Sequence, residues 1–560
     1  MSSEDHTSTK GCFNIFSYHY EGLLIIGPPI LFSPVMLMSD EVANRCMYLL
    51  MVMAVYWIFE VIPLGVTSML PIVAFPLMDI MPTGDACRLY FRDTLVMFVT
   101  SIMVATAIEY SKLHIRLALR VLQIVGCSPR RLHFGLCAVT TFLSVWIANS
   151  ACTAMMCPII YAVLDELASQ GLIKQYDEAD ADLPKAERRP SKIGNCFYLS
   201  VSYASSIGGI GSLIGTPTNL AFKGIYDSRF PNATEKLDFG IYLVYAFPFV
   251  IVGSLLMYLV LEMAFMGMFR PNSQAAKEIE VGKEGAEIGR KVIDGKYDEL
   301  GPITIHEISI AILFVLLIML YIGRKPGFME GWGSLFENPS IKNSAPTVMI
   351  LMIIFSFPAN YKFLKFWKEE SLEKTPALLT WQFIVPKVPW GLIFLVGGGA
   401  TLAEGSKVSG MATKLGTSLS VLDFLPPSIL LLVVVTAAVL ITNFSANVAI
   451  ANITVPVLAE MAVAMKIHPL YLIFPVGMAC SMAFMLPVGT PPNALVQGYA
   501  NIETKNMAIG GLYASITTIL TIWALAQTWG VFVYPNTKKY PDWADIETNA
   551  TRSLDIWDEV

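Results

Sequence analysis

Apolar runs long enough to cross a bilayer recur along this chain, and nothing else in it restricts the fold so tightly. They include Leu23 to Met38, Tyr48 to Ile62, Thr94 to Ile108, Ile241 to Met268, Ile308 to Ile322 and Met507 to Val531. Hydrocarbon offers no partner to backbone N–H and C=O groups, so such runs must close their hydrogen bonds internally, as helices. An all-α polytopic membrane protein is the expectation. Composition agrees: 55% of the 560 residues are hydrophobic and 15% are charged, against roughly a quarter charged in soluble domains. The first run lies too deep in the chain, without a cleavage-like site, to read as a signal peptide.

Charge and cysteine usage exclude several function classes. The net charge is only -6 and mixed in sign, so there is neither a basic surface for nucleic acid nor a global field for anions, and any anion selectivity is local. Cys137, Cys152, Cys157 and Cys480 fall inside apolar segments, with no Cys/His metal spacing. These thiols read as packing residues, and neither a structural metal nor a cofactor is expected. No His/Asp/Ser constellation marks an enzyme.

Four charged loops, Lys112 to Arg131, Glu166 to Lys192, Arg270 to Lys296 and Lys362 to Lys374, belong on the cytosolic side by the positive-inside rule, together with a cytosolic N-terminal tail over 1–19. Between the first two loops, Leu132 to Leu164 must begin and end on one side with a polar centre at Asn149 and Ser150, which predicts a re-entrant hairpin over 132–165. Cys196 to Ile225 then crosses outward, interrupted near 208–219, and Ile241 to Met268 returns, closing a first half over 20–269. A linker over 270–303 precedes a second half over 304–534, with a hairpin entered from outside over 427–465 and a broken helix near 485–493. Pro63 and Gly65 split Tyr48 to Met81 into two crossings, and the count is eleven crossings plus two hairpins. The sequons at Asn232 and Asn549 then face outward, the second in an extracellular tail over 535–560; each is a glycosylation site or a chance match to a short pattern.

An internal repeat carries the chemistry. Ala148 to Pro158 reads ANSACTAMMCP and Ala446 to Pro456 reads ANVAIANITVP, each with a hydroxyl residue four positions earlier, Ser144 and Thr442. Downstream come GTPTN, Gly215 to Asn219, and GTPPN, Gly489 to Asn493. Such a segment cannot continue a helix, because proline removes a donor and glycine permits unusual dihedrals. In lipid these breaks survive where they line a polar cavity. Two symmetric breaks facing two hairpin tips describe a midplane site in which helix N-termini meet an anion. No lysine or arginine falls within the four motifs, so amides, hydroxyls and carboxamides are expected to do the recognising.

Asn149, Asn219, Asn447 and Asn493 are read as ligands because they repeat in register; for Ser144, Thr442 and Ser150, ligation and helix packing both stay open. Glu60, Glu109, Glu307 and Glu404 read as helix-end or paired acids, His133 beside Arg130 and Arg131 as interfacial, and Gly397 to Gly399 as a helix-packing face.

With these motifs the sequence resembles the divalent-anion/sodium symporter family, and within it the INDY-type insect carriers of di- and tricarboxylates. The likeness runs from about Gly22 to Tyr534 and includes VLQIVGCSPRRLHFGL from Val121, WIANSACTAMMCPI from Trp146 and CSMAFMLPVGTPPNALVQGYANI from Cys480. It implies a plasma-membrane homodimer whose protomers each have a scaffold and a transport domain sliding as an elevator, carrying citrate, succinate and related small carboxylate anions. Carried over by position, it implies substrate contacts at Asn149, Ser150, Thr216, Pro217, Asn447, Val448, Thr490 and Pro491, and cation sites at Ser144, Asn149 and Gly215, then Thr442, Asn447 and Gly489. The family's tip serines are here alanines, Ala148 and Ala446, which puts sodium coupling in doubt. The expectation is weakly coupled or sodium-independent transport, by exchange or linked to protons. A sodium-coupled dicarboxylate or sulfate symporter is the alternative, and an anion channel the different class.

Overall fold

The computed structural model describes residues 22–544 except 127, 178–179, 181–183, 185–186, 271, 273–281, 326–329, 337–340, 362–374, 412–413 and 416–423. The N-terminal tail, the segment Lys362 to Lys374 and the sequon at Asn549 lie outside the described residues. Among the described residues seven helices are long and apolar enough to cross a membrane, and Gly22–Leu37, Leu64–Leu77, Ser344–Ser356, Pro427–Thr442 and Pro469–Ala479 are shorter apolar helices. Among the described residues no strand forms beyond two isolated bridges. The chain is thus the all-helical membrane protein that its apolar runs dictate. Its most lipid-like helix, Ile305–Arg324, has a mean hydropathy of 2.5 and is only 22% buried over its most apolar stretch, so it stands at the periphery.

Eight helices carry the repeat. In the first half α1 (Pro129–Ser144) and α2 (Asn149–Ser169) are joined by four residues, 145–148, while α3 (Lys192–Gly209) and α4 (Pro217–Arg229) are separated by seven, 210–216. The second half repeats this with α5 (Pro427–Thr442) and α6 (Asn447–Ala464) joined through 443–446, then α7 (Pro469–Ala479) and α8 (Pro491–Ala500). The second break is longer than the motif alone implied: it begins at Cys480, not near residue 485, and contains a 3-10 turn at Pro487–Gly489.

Proline chemistry sets both restarts. A residue preceding proline is driven out of the helical region, and Thr216 and Thr490 are extended, with φ/ψ of -143°/146° and -157°/143°. Proline itself is tolerated at the first helical position, where its missing N–H would be unpaired anyway. α3 and α7 therefore cannot run on into α4 and α8.

Packing interlocks the two halves. α1 and α2 lie along α3, α5 and α6 along α7, and across the halves α4 packs on α6 while α8 packs on α2. At one end Arg229 grips Glu460 through Nε–Oε1 (2.5 Å) and Nη2–Oε2 (3.0 Å). At the other Arg189 pairs with Glu503, just beyond α8. Basic segments gather at that second end, where Arg116 pairs with Glu307 (2.6 Å) and Gln123 donates to Asp294 (2.8 Å). The first hairpin enters from this basic end. The second enters from the opposite one, where Trp523 donates to Ser428 O (2.8 Å).

Two of the charged loops are not loops. Leu113–Val125 forms a helix against α1, and Gly282–Asp298 forms another against α2 and Leu113–Val125. Each has one buried face, a 3.6-residue pattern hidden by its charge count. In the glycine run, a Cβ on Gly398 would fall 2.4 Å from Ser68 O and one on Gly399 2.3 Å from Asn452 Oδ1, so only glycine lets helix Gly391–Val408 approach its neighbours. Glu60 caps Val42–Phe59 at φ 48°, Glu109 pairs with Lys387, and Glu404 accepts from Ser228 (3.0 Å). His133, read as interfacial, is fully buried.

Candidate functional site

Each hairpin tip closes on its own helix break through the same three groups. In the first half Ser144 Oγ is a shared donor to Ser205 O (2.7 Å) and Asn149 Oδ1 (2.8 Å). Gly215 lies so near that a Cβ there would stand 2.5 Å from Gly209 O and 2.9 Å from Val145 O. Ser212 Oγ adds a bond to Val145 O (2.5 Å). Ser144, Asn149 and Gly215 are thus brought into one oxygen-rich cluster.

The second half builds the counterpart from Thr442, Asn447 and Gly489. Thr442 Oγ1 donates to Cys480 O (2.6 Å). With its amide nitrogen turned toward the break, Asn447 donates to Gly489 O (3.2 Å), Thr442 Oγ1 (3.0 Å) and Cys480 O (3.3 Å). A Cβ on Gly489 would stand 3.0 Å from both Thr442 O and Asn443 O. With the amide turned the other way, Thr442 Oγ1 donates to Asn447 Oδ1 (3.0 Å) and the cluster matches the first.

The asparagines that end the break motifs act as braces. Asn219 Nδ2 donates to Gly209 O (2.9 Å) and Ser212 O (2.6 Å); Asn493 Nδ2 donates to Ala483 O (3.1 Å) and Leu486 O (3.0 Å). The partners sit ten and seven residues upstream in both halves. The other end of the carboxamide differs. Asn493 Oδ1 accepts from Ser202 Oγ at 2.6 Å, whereas Asn219 Oδ1 and Thr218 Oγ1 are buried without a partner.

Four helices start in this region, at Asn149, Pro217, Asn447 and Pro491, and none of the preceding residues, Ala148, Thr216, Ala446 and Thr490, makes a side-chain cap. Elsewhere Ser191 and Thr304 cap their helices normally. Uncapped first-turn N–H groups favour an anion by about 0.3–1 kcal/mol per helix end at exposed sites, and by more where water is excluded. Ser150 and Val448 occupy the first turns beyond the tips; Thr216 and Thr490 are almost wholly buried, and Pro491 is exposed. The nearest cation along α4, Lys223, is paired with Asp227.

Several residues that matter here have no repeated signature. Asn443 Oδ1 accepts from the backbone N–H of Phe484 (3.0 Å) and Met485 (2.7 Å), stitching the second tip to its break; Val145 holds the equivalent place in the first half. Thr153 donates to Ser205 Oγ (3.0 Å), Ser205 to Ser202 O (2.8 Å) and Ser202 to Asn493, which links the first tip to the second break. The hydroxyl-rich run from Ser200 to Ser206 was the available signal.

Comparison with known proteins places this geometry. Residues 17–534 match the family model described as the sodium:sulfate symporter transmembrane region. The chain is 55% identical to "Protein I'm not dead yet" of Drosophila melanogaster, covering 96% of this chain and 93% of that protein. It is 35% identical to the "Na(+)/dicarboxylate cotransporter 3" of Homo sapiens, over 94% of each. To the "Na(+)/citrate cotransporter" of Rattus norvegicus it is 33% identical, over 94% of this chain and 97% of the relative. Among solved structures, the YdaH transporter of Alcanivorax borkumensis shares the fold with a TM-score of 0.51 at 15% identity, covering 91% of this chain and 99% of that one.

Proposed function

Since the chain belongs to the sodium:sulfate symporter transmembrane family, we propose that it is a secondary carrier of di- and tricarboxylates such as citrate and succinate, with weak or no sodium coupling. The observation that carries this is the doubled site, in which two hairpin tips and two helix breaks present four uncapped N-termini and no free cation within the four motifs. Carboxylates suit such groups, and the relatives' names include dicarboxylate and citrate cotransporters. Asn149, Ser150, Thr216, Pro217 and Asn219, with Asn447, Val448, Thr490, Pro491 and Asn493, form the substrate site in this reading. The donor that Asn219 Oδ1 lacks would come from water or a substrate hydroxyl.

Weak coupling is supported by the chemistry of both clusters. Sodium takes oxygen ligands; the first cluster offers Ser144 Oγ, Asn149 Oδ1 and carbonyl oxygens, so it fits a cation in kind. Yet Ala148 and Ala446 supply no hydroxyl, so each cluster lacks one side-chain oxygen. The carrier works as an elevator homodimer in the plasma membrane, with a cytosolic N-terminus, an extracellular C-terminus and glycans at Asn232 and Asn549.

The experiment is uptake of labelled citrate and succinate into expressing cells with sodium replaced by choline. Uptake should persist; collapse would establish the sodium-coupled alternative, which the oxygen-rich first cluster favours. Competition by sulfate in the same assay separates the sulfate reading. Saturable, exchange-accelerated flux separates a carrier from a channel.

A further inference from the structure

One cluster of ionisable groups plays no part in the site described above. His133 on α1 and Glu262 on helix Phe239–Phe265 are both fully buried, and His133 Nδ1 meets Glu262 Oε1 at 2.8 Å. Arg130 holds Nε 3.7 Å from Glu262 Oε2 on a side chain that is 43% exposed. Across the ring, Cys196 of α3 places Sγ 3.7 Å from His133 Nε2 and 3.7 Å from Leu261 O. Tyr258 and Phe197 close over the imidazole, with ring centroids 5.0 and 5.4 Å away. The titratable and charged groups around it are therefore Arg130 and Cys137 from α1, Cys196 from α3, and Glu262 and Tyr258 from Phe239–Phe265. Neither Glu262 Oε2 nor Arg130 Nε has a hydrogen-bond partner.

We propose that His133 and Glu262 form a proton-binding site, reached from the basic end past Arg130, whose occupancy makes transport pH-dependent; this rests on the carrier reading. With a neutral imidazole, Nδ1–H donates to Glu262, the Cys196 S–H faces Nε2, and the carboxylate balances the Arg130 guanidinium. One proton added at Nε2 creates an imidazolium between carboxylate and thiol. Cys196 then accepts from Nε2–H and turns its own S–H to Leu261 O. The proton enters without stranding a donor or acceptor, which is what burial demands. It leaves the cluster with one net positive charge inside the packing of α1, α3 and Phe239–Phe265, so it must bias how they pack. His133 precedes Ser144 by eleven residues of one helix, about 16 Å along its axis, so the proton acts through α1 and not by touching substrate.

The test uses full-length protein in proteoliposomes, with labelled succinate uptake measured between about pH 5 and 8, the same on both faces, where an imidazole changes charge. Substrate ionisation affects wild type and His133→Gln alike, so the ratio of their rates reports the protein's own proton. That ratio should change by at least about threefold as a single-proton transition, and Glu262→Gln, which withdraws the carboxylate favouring the imidazolium, should move the transition to lower pH. A ratio independent of pH would overturn the proposal. The melting temperature of purified wild type, His133→Gln and Cys196→Ala over the same range reads the proton without transport. Parallel melting curves in pH would also overturn it, and Cys196→Ala serves if His133→Gln does not fold. Loss of all carboxylate uptake with a pH-dependent melting difference would instead sink the carrier reading and leave the proton site standing.

Discussion

Asn149 and Asn447 each tie the end of one helix to the start of another, so their truncation removes the closure of a tip as well as a polar contact. Losing a buried hydrogen bond of this kind costs about 1–3 kcal/mol, which corresponds to roughly five- to 150-fold in an equilibrium. Asn149→Ala and Asn447→Ala should therefore each lower carboxylate uptake at least about fivefold at unchanged surface expression; near-normal uptake in both would remove the tips from the site. Restoring the missing hydroxyls by Ala148→Ser with Ala446→Ser should raise the ratio of uptake in sodium to uptake in choline, because each cluster gains one oxygen. Ser202→Ala strands the buried Asn493 Oδ1, which Ser202 alone supplies among the described residues. It should cost about 1–3 kcal/mol in thermal stability. The corresponding acceptor in the first half, Asn219 Oδ1, has no such donor to lose.

Repetition made some elements legible and hid others. Ser144, Asn149 and Gly215, with Thr442, Asn447 and Gly489, could be found because both halves spell them alike, and Pro217 and Pro491 announce where α4 and α8 start. Asn443 and Ser202 have no repeated partner, since Val145 and Val476 stand in their places, and a motif comparison passes over them. Leu113–Val125 was obscured by its charges, and Glu262 by the twenty-odd apolar residues around it. The C-terminal segment after Val533 shows what only the three-dimensional structure reveals. Asn536 and Trp543 both donate to Glu235 (2.9 and 3.1 Å), and the Trp543 ring stands edge-on to His468, 5.5 Å away. His468 caps α7 through Nδ1, accepting from Leu470 N–H at 3.2 Å. Burial holds its imidazole down to about 4 from the ordinary 6.5, against the pull of Glu235. Burial of Glu235 works to raise its carboxyl, but bonds from Thr234 and Asn536 prevail and keep it low. A free histidine takes up its proton near 6.5 and the folded one only near 4, so the contact is fully stable above that window and weakens as pH falls through it. Hydrogen-exchange protection in residues 534–544, taken relative to the intrinsic rate at each pH, should fall over the same interval. His468→Asn, which still caps a helix but cannot titrate, should abolish that loss of protection.

Elevator motion requires one body of helices to slide past another, and the contact between α4 and helix Gly391–Val408 is where this can be tested. α4 is bound to the second half by the buried pair Arg229–Glu460 and packs on α6, so the interlocked repeat should move as a unit. Breaking that pair by Arg229→Ala leaves a buried carboxylate and should cost about 3–5 kcal/mol, whereas replacing both partners by apolar residues should recover much of it. Gly391–Val408 packs on its other side against Leu64–Thr67 and Val42–Phe59, a second group, with Gly398 set on Ser68 and Gly405 on Phe75, while Gly399 faces Asn452 of α6. Across the boundary the bond from Ser228 to Glu404 (3.0 Å) joins a surface of α4 to that second group. Cysteines at Ser228 and Glu404, in a Cys87→Ser background because Cys87 is exposed, should be bridged by a short bifunctional thiol reagent. Bridged protein should bind labelled succinate but not carry it, and cleaving the bridge should restore uptake. If the bridged protein transports at the unbridged rate, the two groups do not slide, and substrate must cross by local opening of the tips, a motion that leaves α4 in place.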